Sequence, residues 1–140
     1  MSVRILGVVI DGSGTEWCRI DESAPAGISV SAGIIYGAKV ADIVGLVPDP
    51  EEDPVLIAWW GKTSSRLTHH FTLWAAETKG VHVVSYFGTQ VGDALRATDN
   101  ADGQLALAMR ELGLFEVGAP ARRAAAMAWR EAQIEGLGVT

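Results

Sequence analysis

Two stretches of the chain, Ile5–Ile10 and Val55–Trp60, carry only apolar residues. A strand of that kind has no face to give to water, so it folds only where both faces are covered, which in practice means a sheet flanked by helices. The first stretch is rich in β-branched residues, lacks helical spacing and stops at Asp11-Gly-Ser-Gly-Thr15, a tight glycine-rich turn. The second is bounded by Pro54 and Gly61 and reads as a central strand. Between them, Glu16–Asp21 alternates polar and apolar side chains and completes a hairpin with the first strand. A short third strand, Ile28–Ser31, follows a turn containing Pro25, and Val81–Phe87 is the last strand.

Helical spacing fills the gaps. Tyr36, Val40, Ile43, Val44 and Val47 fall on one helical face and predict a helix within 33–47. The proline- and acid-rich segment Pro48–Pro54 is a surface loop. Leu67, Phe71, Trp74, Ala75 and Thr78 predict a second helix, with an N-cap in the Ser/Thr cluster at 63–65 and Gly80 as its stop. Asp99–Leu112 and Ala121–Glu135, the latter with Pro120 in its first turn, read as the last two helices. The order β-β-β-α-β-α-β-α-α predicts one α/β domain over 1–140. Its mixed five-stranded sheet would open with three antiparallel strands and carry flanking helices, as in the ribonuclease H-like fold.

Composition narrows the function classes. The 140 residues are 49% hydrophobic, enough for one core, and the formal charge of −6 argues against strong non-specific binding to polyphosphate. Cys18 is the only cysteine, which excludes an internal disulfide and favours a reducing, cytoplasmic setting. No run approaches the ~18 apolar residues of a membrane span.

Asp11 ends the first strand, while Asp99 and Asp102 stand three residues apart at the start of a predicted helix, on one face of it. If that helix packs beside the first strand, three carboxylates converge, and their repulsion is relieved by a divalent cation such as Mg²⁺. Such a site activates water for phosphodiester hydrolysis. Ile5-Leu-Gly-Val-Val-Ile-Asp11-Gly-Ser-Gly and Asp99-Asn-Ala-Asp102-Gly-Gln-Leu-Ala-Leu-Ala108 together resemble the RuvC-type Holliday-junction resolvases of the ribonuclease H-like superfamily. That resemblance implies metal-ligand and catalytic roles for Asp11, Asp99 and Asp102 on DNA. The Asp11–Thr15 turn also looks like the first phosphate loop of the sugar-kinase and actin superfamily, which would need a second subunit to enclose a nucleotide.

Each acid has a plainer role as well: Asp99 and Asp102 as helix caps, Asp11 as a turn former. Trp60, Lys62 and Arg66 combine an aromatic ring with two cations and would hold a nucleic-acid strand by stacking and charge. Five tryptophans also suit an interface, including that of a homodimer. His69 and His70 read as a solvated helix flank and His82 as a sheet residue. Arg122, Arg123 and Arg130 make the last helix the one mildly basic region. Two functions follow: a Mg²⁺-dependent nuclease using the three aspartates, or a non-catalytic ribonuclease H-like protein that contacts a protein or nucleic-acid partner. The ordered carboxylates favour the first. The net charge, and the lack of an acid in Ala58–Lys62, favour the second.

Overall fold

In a computed structural model, which describes residues 2–12, 14–23, 27–61 and 65–137, the apolar runs sit at the centre of a sheet. The strands are β1 (Ser2–Asp11), β2 (Gly14–Ser23), β3 (Gly27–Tyr36), β4 (Val55–Gly61) and β5 (Val81–Ser85). Their spatial order is β3-β2-β1-β4-β5. The first three pair antiparallel, and β4 runs parallel to both β1 and β5. The expected α/β architecture, a mixed sheet of five strands with three antiparallel ones first, is the one observed. Pro25, placed in the turn before β3, and Lys62 lie outside the described residues, as do two of the three hydroxyl residues at 63–65. Ser65 itself caps α2 (Arg66–Glu77) by accepting from the Thr68 N–H at 3.4 Å.

Strict alternation divides the central strands between two cores. Leu6, Val8, Ile10 and Ile57 pack with Ile43, Val47 and Phe71 under α1 (Val40–Val44) and α2. Ile5, Val9, Cys18, Ile20 and Ala58 face the other way, against α3 (Gly88–Ala97), α4 (Gln104–Glu111) and α5 (Arg122–Ile134). Trp59 and Trp60 follow the same rule: Trp59 meets Phe71 edge to face at 5.4 Å, while Trp60 joins the α5 side. α5 lies close on β1 at Gly7, where a Cβ would stand 2.2 Å from the Ala124 carbonyl oxygen. Only glycine admits the helix at that distance.

Three expectations need correction. The helix expected within 33–47 shrinks to 40–44, because β3 continues to Tyr36, with Ile34 and Ile35 pairing with Glu16 and Thr15. Long-range pairing along β2 outweighs the helical spacing, and Gly33 leaves room for the Trp17 indole, which would lie 3.1 Å from a Cβ there. Second, α3 was missed, because Gly88 and Gly92 mask the helical spacing of Val91, Ala94 and Leu95. Third, 99–112 is not one helix. Thr98–Asn100 is a 3₁₀ turn ending α3, Ala101 is extended, and Gly103, at φ +97°, opens α4.

Candidate functional site at the carboxyl edge of the sheet

Because β1, β4 and β5 are parallel, their carboxyl ends share one edge, together with the β1–β2 turn and the end of β3. In open α/β sheets this is the edge at which ligands bind. Asp11 closes the β1–β2 ladder opposite Gly14, and Gly12 takes the left-handed φ of +57° that the turn requires. The pleat sends Asp11 to the same face as Gly7 and Val9. Glu16, opposite Val9, lies on that face too, in line with the core residues Cys18 and Ile20.

An acid on a core face must be given donors. They come from the first turn of α5, which Gly7 lets down onto the sheet. Glu16 accepts from the Arg123 backbone N–H at 3.2 Å and from Arg123 Nε at 2.8 Å, and Arg123 Nη2 binds the same carboxylate. Arg123 Nη1 reaches Asp11 Oδ2 at 3.1 Å. The guanidinium also covers the Trp60 ring, with Cζ 5.6 Å from the ring centroid. Glu16 is only 8% exposed, against 31% for Asp11 and 33% for Arg123. Burial alone would lower the Arg123 pKa. The hydrogen bonds and charges of Glu16, then Asp11, outweigh it and hold the pKa above its ordinary value.

The remaining expected residues lie as follows. Asp99 is exposed in the 3₁₀ turn, after α3 has carried the chain about 15 Å from Phe87. Asp102 is exposed in the link to α4. The break at Ala101–Gly103 removes the helical face that would have aligned the two. Neither acid serves as a helix N-cap: Ala97 and Gly103 hold those positions. Trp60 is half-buried beneath Arg123, and Arg66 is exposed at the start of α2.

Among the described residues, no group of three or more His, Cys, Asp or Glu side chains is placed to hold a metal ion. Asp11, Asp99 and Asp102 therefore do not form a shared cation site in this geometry, and the acid that does stand near Asp11, Glu16, is bound to a guanidinium. A hard divalent ion needs several oxygen ligands in an octahedral or larger shell. Among the described residues, the donors around Asp11 do not make such a shell. Sequence reading missed Glu16 and Arg123 as partners. Glu16 did leave a signal, since it shares the parity of Cys18 and Ile20.

No family model matches the sequence. No curated protein matches it either. Among solved structures, the chain is similar to Thermus thermophilus RuvC in complex with a Holliday junction substrate, at 20% identity and a TM-score of 0.54, covering 96% of this chain and 95% of that one. It is also similar to the fowlpox virus Holliday junction resolvase, at 10% identity and a TM-score of 0.57, covering 95% of this chain and 99% of that one. At 20% and 10% identity the likeness is one of fold: the chain has the fold of these two resolvase structures, a five-stranded mixed sheet with flanking helices.

Proposed function

We propose that the protein is a non-catalytic nucleic-acid-binding member of the ribonuclease H-like fold, using the carboxyl edge of its sheet. The observation that carries this reading is the Arg123 guanidinium held between Asp11 and Glu16. At the place where a hydrolase of this fold would need carboxylates available to metal, the chain supplies its own cation, and its three charged groups sum to −1. The two resolvases with the same fold support nucleic acid as the partner class, one of them being described with a Holliday junction bound.

Fluorescence anisotropy with labelled four-way-junction, duplex and single-stranded DNA tests the reading, run in EDTA and again with Mg²⁺ or Mn²⁺. Binding to at least one DNA should persist in EDTA, and no strand should be cut when metal is added. Metal-dependent cleavage abolished by Asp11→Asn, Asp99→Ala or Asp102→Ala would restore the nuclease reading. Absence of binding to all three DNAs would remove nucleic acid as the partner.

A further inference from the structure

The charges of the molecule are segregated along the strand direction. Asp21 and Glu22, at the end of β2, lie opposite Arg4 and Val3 at the start of β1, and the acidic loop at 49–53 leads directly into β4. The amino edge of the sheet thus carries Asp21, Glu22, Asp49, Glu51, Glu52 and Asp53. Among the described residues, Asp21, Glu51 and Asp53 of this set pair with Arg19, Lys79 and Arg4, so that the edge stays net acidic. The carboxyl edge holds Arg66, Arg122 and Arg123 against Asp11 and Glu16. A polyanion approaching this acidic protein meets its least repulsive surface there.

The same edge presents two bare aromatic rings. Tyr36, the last residue of β3, is 72% exposed, and its ring lies against Gly14, 3.7 Å from where a Cβ would stand. Phe87, just beyond β5, is 74% exposed. Its backbone is anchored at the start of α3, where its N–H donates to Gln90 Oε1 at 2.8 Å. The rings lie at the ends of the two outer strands of the sheet, whose backbones stand four strand spacings or about 19 Å apart, with Trp60 under Arg123 between them. Both are held by well-formed elements, and neither is covered.

We infer, on the basis of the nucleic-acid reading above, that this edge takes unpaired nucleotides, whose bases stack on Tyr36 and Phe87. Bases inside a duplex have both faces covered by their neighbours, whereas an unpaired base has a face to offer a ring. Among the described residues, Arg123 is committed to Glu16 and Asp11, and Arg122 donates its Nε to the Phe115 carbonyl at 3.2 Å, so stacking rather than phosphate neutralisation supplies most of the affinity. That predicts a shallow salt dependence. If only Arg66 and Arg122 meet phosphates, the slope of log K against log salt is about −1.4 on a single strand.

The test uses the full chain with a labelled 20-nucleotide single strand and the matching duplex, together with Tyr36→Ala, Tyr36→Leu, Phe87→Ala and Tyr36→Trp. The single strand should bind more tightly than the duplex. Both alanine variants and the leucine variant should weaken single-strand binding roughly 5- to 100-fold while leaving the melting temperature unchanged, and Tyr36→Trp should retain binding. If the wild type binds the single strand and the alanine variants bind equally well, or Tyr36→Leu binds like wild type, the stacking inference fails while the nucleic-acid reading stands. Equal affinity for duplex and single strand also overturns it. If the wild type binds neither probe, nor a four-way junction, the nucleic-acid reading itself has failed.

Discussion

Arg123→Ala isolates the interaction on which the site is built. Glu16, 8% exposed, would lose the Nε and Nη2 donors and keep only the Arg123 backbone N–H at 3.2 Å. Removing one partner of a fully buried ion pair costs about 3–5 kcal/mol. Because Arg123 is 33% exposed, water reaches the vacated space, and about 2–3 kcal/mol is the discounted expectation. At about 3 °C per kcal/mol for a chain of this size, the melting temperature should fall by roughly 6–9 °C. Thermal unfolding followed by circular dichroism measures this, and a cycle with Glu16→Gln gives the coupling. Removing the stranded charge should repair part of the damage, so the double variant should be more stable than the two single losses predict by about 1–2 kcal/mol. Additivity within about 0.5 kcal/mol would show that Glu16 is not held by Arg123, and the account of the site would fall.

Three further outcomes follow from the packing. Gly7→Ala places a methyl 2.2 Å from the Ala124 oxygen and must lift α5 from β1, so chemical denaturation should show a loss of about 1–3 kcal/mol or more; a loss under about 1 would contradict the close approach. Burial pushes the Cys18 thiol up to about 12. The native protein should therefore resist thiol reagents at pH 8, and its stability should decline from about pH 9 toward 12 as the thiol of the unfolded chain ionises first. Cys18→Ala should remove that part of the alkaline slope in urea titrations at stepped pH. Tyr86→Phe withdraws the hydroxyl that donates to buried Glu131 at 2.5 Å, and should cost about 1–3 kcal/mol by the same denaturation assay. An unchanged midpoint would mean that Glu131 is served by another donor.

The strands were readable because their evidence is local. Continuous apolar runs at Ile5–Ile10 and Val55–Trp60 need cover on both faces, whatever the rest of the chain does, and the helices that cover them leave their own spacing in 66–77 and 122–134. Local evidence misled where a distant partner outweighed it. Tyr36 shares the helical spacing of Val40, Ile43 and Val44, yet β2 offers it a place in a ladder opposite Gly14. In 99–112, a glycine able to adopt φ +97° broke what its neighbours would have continued.

The amino-acid sequence by itself determined the α/β class, the five strands and the position of Asp11 at a strand end, since burial patterns and turn chemistry act over a few residues. Only the tertiary structure decided what Asp11 faces. Arg123 lies 107 residues from Glu16 and 112 from Asp11 along the chain, so no local pattern links them. What joins them is the direct contact of α5 with Gly7. That contact brings a guanidinium to Asp11, while the non-helical link at Ala101–Gly103 removes the shared helical face of Asp99 and Asp102.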